Sequence, residues 1–119
     1  MVYTEHEHQM RLVAWFRSTY KGVRIFAIPN GGHRHKVVAA QLKREGVTAG
    51  VPDLYIPAWK LWVEMKTETG RLSPAQKEWK EYLEGVGDCY IIGMGYDDAV
   101  LKIKLMADET KIPAGPLGG

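Results

Sequence analysis

Apolar positions recur along the chain at two periods, and the switches between them mark out its elements. Residues 4–20 follow helical spacing, with Met10, Val13, Ala14 and Arg17 on one side and Leu12, Trp15 and Phe16 widening the apolar face. Thr4-Glu5-His6-Glu7 fits a capping box, Thr4 as N-cap and Glu7 three residues on. Residues 23–28 read as a strand stopped by Pro29-Asn30-Gly31-Gly32. A second helix is predicted from His35 or Lys36 to Glu45, with Gly46 as its stop. Leu54-Tyr55-Ile56 and Leu61-Trp62-Val63 are apolar runs of strand length, followed by a polar, glycine-containing loop over residues 67–72. Ser73-Pro74-Ala75-Gln76 is a helix start: Ser as N-cap, Pro at the first position, Gln closing a capping box. That helix passes through Trp79 and Leu83 to Gly85. Cys89 to Gly93 makes a further strand, and Asp97 or Asp98 caps a last helix ending near Met106. The order αβαββαβα predicts an α/β fold, a mixed β-sheet flanked by helices with its site at strand ends.

The two central apolar runs place charges where a strand leaves the core. Pro52-Asp53 precedes the first, and Glu64-Met65-Lys66 closes the second. An antiparallel hairpin joined by two or four residues sets Asp53 directly opposite Glu64, on one face, with Cβ atoms about 4.5–5.5 Å apart. Ala58 and Trp59 disfavour the positive φ of a two-residue turn, so a loop over residues 57–60 is expected. Lys66 returns to the same face roughly 7 Å further along. Carboxylates that close repel unless a cation bridges them or one is protonated. Two acids and an amine so arranged can hold a divalent metal beside a phosphodiester.

Composition narrows the classes. The chain has 119 residues, 45% hydrophobic and 25% charged, as expected of one globular domain rather than a disordered chain. A net charge of +2 lends mild support to a polyanionic partner. The single cysteine, Cys89, excludes an internal disulfide and a cysteine-cluster zinc site, and a buried thiol in a strand is expected of it. No apolar run approaches the ~20 residues of a membrane span. The N-terminus, with Glu5, His6, Glu7 and His8, is unlike a secretory signal, so a cytoplasmic protein is expected.

Taken in order, further segments carry a family likeness: Glu7 in the first helix, Ile28-Pro29-Asn30-Gly31-Gly32, Gly46-Val47, Ala49-Gly50-Val51-Pro52-Asp53-Leu54, Val63-Glu64-Met65-Lys66 and Leu72-Ser73-Pro74-Ala75-Gln76-Lys77-Glu78-Trp79. With them the chain resembles the VRR-NUC group of the PD-(D/E)xK nucleases, particularly the compact stand-alone versions encoded by phages. The resemblance implies a restriction-endonuclease-like core over residues 1–106, a tail over residues 107–119, and a Mg²⁺- or Mn²⁺-dependent endonuclease acting in a bacterial host. It implies a metal site at Asp53, Glu64 and the backbone carbonyl of Met65, with Glu7 as an acidic contributor from the first helix. Glu5 is a rival, but Glu7 sits at the matching distance from the apolar helix positions. Lys66 and Gln76 are the implied catalytic partners. Lys66 either acts on the attacking water or stabilises charge on the phosphate, and charge stabilisation does not require it to lose its proton. Stand-alone relatives are associated with branched DNA such as Holliday junctions, whose resolution takes two symmetric sites, so a homodimer is expected.

Asn30, Gly31, Gly32, His33, Arg34 and Lys36 form the expected DNA-binding stretch, where glycine backbone approaches phosphate closely and basic side chains hold the strand. The spacing of His6, His8, His33 and His35 argues against zinc. Trp15, Trp59, Trp62 and Trp79 are expected in the core or an interface, with Trp59, at the hairpin tip, a candidate for partner contact. The alternative function is a non-catalytic DNA-binding or assembly module on a nuclease fold, with DNA binding indifferent to Mg²⁺. A protein-interaction domain using Trp59 and the Pro/Gly-rich tail is a third.

Overall fold

A computed structural model describes residues 2–29 and 36–110, with side chains as far as residue 108. Asn30, Gly31, Gly32, His33, Arg34 and His35, and the end of the chain from residue 111, lie outside the described residues.

The first helix, α1 (Glu5–Thr19), opens on the expected capping box: Thr4 accepts from the Glu7 N–H, and the Glu7 carboxylate accepts from the Thr4 N–H. Its expected Leu12 and Phe16 point inward, with Val13 and Trp15 packed against the core. His8 joins the buried stripe, while Met10, expected on the apolar side, is 65% exposed.

The strand expected over residues 23–28 shortens to β1 (Phe26–Ala27). Its partner sets the limit, since β2 (Leu54–Ile56) is bounded by Pro52 and Pro57, and Pro29 has no N–H to extend the ladder. Val23 and Ile25 are nonetheless buried, and the Ile28 N–H donates to the Asp53 carbonyl at 2.8 Å. Between β1 and β2, α2 (Lys36–Arg44) buries no residue and ends before Gly46, whose φ of +105° suits glycine.

The hairpin forms with the expected loop. Pro57–Trp59 make a 3₁₀ turn and Lys60 takes a left-handed φ of 49°, closing onto β3 (Leu61–Lys66). Leu54 pairs with Val63, Tyr55 with Trp62 and Ile56 with Leu61, which sets Asp53 opposite Glu64. After α3 (Pro74–Gly85), β4 (Cys89–Met94) pairs parallel to β3, and α4 (Tyr96–Thr110) completes the chain. The order αβαββαβα is the one expected, and the sheet runs β1-β2-β3-β4, the first two pairings antiparallel. The last helix starts a residue before the expected acids and continues past Met106. Asp98, inside its first turn, accepts from the Met94 N–H at 2.8 Å.

One sheet face carries Leu54, Ile56, Leu61, Val63 and Met65 against Leu12, Phe16, Ala99 and Ile103 of α1 and α4. Contact is close enough that a Cβ on Gly93 would lie 2.6 Å from the Ala99 Cβ, so β4 needs glycine there. Cys89 packs half-buried against this core. The other face meets α3 beside β4, and Gln76 of α3 reaches Glu64 near the end of β3. That partial cover buries Glu64 and Lys66, so β3 exits the core buried on both faces.

Trp59 is not a surface residue. It is 4% exposed, edge-to-face on Phe16 and Tyr20 at 5.4 and 5.0 Å between centroids. The 3₁₀ turn folds the hairpin tip back over α1, which removes the ring from any partner. Replacing Trp59 with Ala is expected to lower unfolding free energy by about 3–5 kcal/mol in urea titrations. Trp59→Phe is expected to cost far less, because the Trp59 Nε1–H is buried without an acceptor. A loss under about 1 kcal/mol for Trp59→Ala would place the ring outside the core.

Candidate active site

Asp53 and Glu64 meet on the α3 face through the hairpin register. The loop before Asp53 is clamped to α3: the Trp79 indole N–H donates to the Ala49 carbonyl at 3.1 Å, and Gly50, with φ of +89°, lies so close to Ala75 that a Cβ would come within 2.7 Å of its backbone. Pro52 is buried behind it. The Asp53 carboxylate then accepts from the Met65 N–H at 2.7 Å. Since the N–H and C=O of one extended residue leave a strand on the same side, the Met65 carbonyl leaves β3 on the Asp53 side.

Glu64 is 1% exposed. The Gln76 amide donates to its Oε2 at 3.2 Å, while no N–H or hydroxyl donates to the buried Oε1. Burial first, then the charge of Asp53 and a proton shared with it, pushes the Glu64 carboxyl from its ordinary 4.5 up to about 9; Lys66 pulls it down and Glu5 adds to the rise. Lys66 itself is 8% exposed, its stem passing under Gly70.

Gln76 performs two tasks at once. Its Oε1 accepts from the Ser73 N–H at 2.8 Å, closing the capping box of α3, and this turns the amide nitrogen toward Glu64. Capping and site contact are therefore compatible, because the two ends of one amide serve them separately.

The structure does not bring Glu7 to this group. Its side chain is exposed and held by Thr4, whose backbone N–H, then hydroxyl, lower the Glu7 carboxyl below its ordinary value. Glu5 is the α1 acid whose charge reaches Glu64. Helical arithmetic explains the exchange: Glu5 stands three and seven residues before the buried His8 and Leu12, whereas Glu7 points away with Met10. The phase set by His8, Leu12 and Phe16 puts Glu5, not Glu7, on their side of α1. His8 anchors that phase, with its Nδ1 accepting from the Tyr96 N–H at 2.9 Å.

Lys36 opens α2 exposed, and the other residues of the expected DNA-binding stretch lie outside the described residues. Among the described residues no three His, Cys, Asp or Glu side chains could jointly hold an ion. The oxygen set at hand is two carboxylates and one carbonyl. That suits a hard cation which keeps several waters, and the buried Glu64 Oε1, to which no N–H or hydroxyl donates, fits such an ion.

The fold is that of a nuclease-type, DNA-processing domain. The VRR-NUC domain profile matches residues 2–90, and the chain belongs to that family. A solved structure described as a VRR_NUC domain protein is similar over 91% of each chain, at 31% identity and a TM-score of 0.76. No curated protein matches the chain.

The raised Glu64 carboxyl has a stability consequence. The native state holds a proton that the unfolded chain releases above about 4.5, so metal-free stability should fall as pH rises from there towards 9. Glu64→Gln, which keeps the shape and cannot ionise, should flatten that fall and melt higher at pH 8 in EDTA. Parallel pH profiles for the two proteins would contradict the buried, protonated Glu64.

Proposed function

We propose that this protein is a divalent-metal-dependent DNA endonuclease that hydrolyses phosphodiester bonds at the Asp53–Glu64 site. The observation that carries the reading is the apposition of these two carboxyls at a buried point, in a chain of the VRR-NUC family. Asp53, Glu64 and the Met65 carbonyl would hold Mg²⁺ or Mn²⁺. When bound, the cation supplies Lewis acidity to the phosphate and a nucleophilic water at neutral pH.

The chain's own groups then divide the work. Asp53, fixed by the Met65 N–H, presents its free oxygen to the ion. A cation held by Asp53 and Glu64 would compete with the Glu64 proton, so affinity should rise with pH below about 9. Gln76 holds the Glu64 carboxylate in one orientation through its amide. Lys66, on the same face, offers positive charge to the phosphate as negative charge builds there. Glu5 adds acidic charge from α1, in the place first expected of Glu7.

The finer reading is cleavage of branched DNA by a homodimer in the cytoplasm. One small domain offers one site to one strand, and paired cuts across a junction need a second copy. Sedimentation that finds a monomer at all concentrations would remove the junction-resolving part.

Labelled junction, flap, duplex and single-stranded substrates with Mg²⁺, Mn²⁺ or EDTA test the core of the proposal. Cleavage should require the metal and fall at least about 100-fold in Asp53→Ala and Lys66→Ala. Metal-independent binding with no cutting would support a non-catalytic module instead. Glu5→Gln should lower cleavage about 10-fold, whereas Glu7→Gln should lower thermal stability and leave the rate of folded protein intact. The reverse pattern would restore Glu7 to the site. Isothermal titration with Mn²⁺ should show proton release, largest below pH 9.

A further inference from the structure

The sheet registers align aromatic residues in a row on the face that carries the acids. Phe26 pairs with Tyr55, Tyr55 with Trp62, and Trp62 with Tyr90, so all four side chains share that face with Asp53, Glu64 and Lys66. The row is locked at its inner end. Tyr55 and Trp62 stack at 4.1 Å between centroids, and the Trp62 indole N–H donates to Asp88 at 2.9 Å. Phe26 stands edge-to-face on Tyr55 at 6.0 Å and is 48% exposed, on a strand whose outer edge has no sheet partner among the described residues.

Packing alone does not account for an exposed phenyl ring held by rigid rings behind it. Its surroundings are cationic. A groove of about 530 Å³ runs along β1, lined by Arg17, Arg24 and Phe26, and Arg17 is steadied by a 3.2 Å bond to the Ile25 carbonyl. By strand geometry Phe26 lies one strand across and two residues along from Asp53, on the order of 8 Å between Cα atoms. A strand whose phosphate reached the acids would therefore pass its neighbouring nucleotide over this ring.

We infer that Phe26 is a stacking platform for an unpaired nucleobase next to the cleaved phosphodiester, with Arg17 and Arg24 holding the flanking phosphates. This rests on the endonuclease reading and specifies its substrate: DNA with unpaired bases beside the cut. Paired bases are stacked within the duplex and offer no free face to the ring, whereas a splayed base does, and each base stacked on an aromatic side chain contributes about 1–3 kcal/mol.

The test compares three labelled probes: a paired duplex, the same duplex with a short unpaired strand, and that substrate with abasic sites in the unpaired strand. Binding is read by anisotropy in EDTA and cleavage by single turnover with Mg²⁺. Wild type should bind the unpaired strand about 10-fold tighter than its abasic counterpart. Phe26→Ala should erase that difference and leave duplex binding unchanged, while Phe26→Trp should keep it, which excludes misfolding as the cause. Equal weakening on all three probes, or a wild type blind to abasic sites, would overturn the platform. In that case metal-dependent cutting that disappears in Asp53→Ala would still uphold the nuclease. Absence of both binding and cutting would overturn both.

Discussion

Glu64 is a carboxylic acid placed where its charged form is disfavoured, with Asp53 opposite and almost no water. A buried, unpaired carboxylate costs several kcal/mol, and the protein escapes most of that by leaving the group protonated. The arrangement makes sense when a cation takes the proton's place. Burial that penalises the free carboxylate also strengthens its attraction to an ion, because there is little solvent to screen it. The same desolvation that destabilises the metal-free carboxyl pair would tighten its hold on a cation.

Several local features exist to hold that conflict in place. The hairpin register brings the acids together, and Lys60 accepts a left-handed φ to keep the loop at the length that register needs. The clamp of Ala49 and Gly50 onto α3 fixes Asp53, and α3 in turn starts at a capping box whose glutamine reaches Glu64. Helix start and site are one construction: stabilising the N-terminus of α3 also aims an amide at the acid. On the opposite face, Gly93 lets α4 approach closely, which backs β3 and β4 with a rigid layer.

The division of the sheet into two faces also organises the surface. Where α3 covers the acid-bearing face, Glu64 and Lys66 are buried. Beyond α3, the face continues as an aromatic row ending in an exposed ring at the sheet edge, where Arg17 and Arg24 line a groove along β1. The proposed metal site and the proposed base-stacking ring are thereby built on neighbouring strands of one sheet.

The sequence by itself determined what depends on neighbours along the chain. Capping boxes, the proline-bounded β2 and the residues of the hairpin loop act over a few positions, so the element order and the apposition of Asp53 and Glu64 were legible from Thr4, Ser73, Pro57 and the alternation of β3. What only the tertiary structure decided depends on what packs against what. Met10 is apolar, yet the sheet takes the face with His8, Leu12 and Phe16, and that helical phase favours Glu5 over Glu7 as the α1 acid nearer the pair. Trp59 sits at a hairpin tip, a surface position by sequence, until α1 supplies Phe16 and Tyr20 to cover it. The depth of Glu64 likewise came from α3, because burial is a property of the whole layer and no strand pattern contains it.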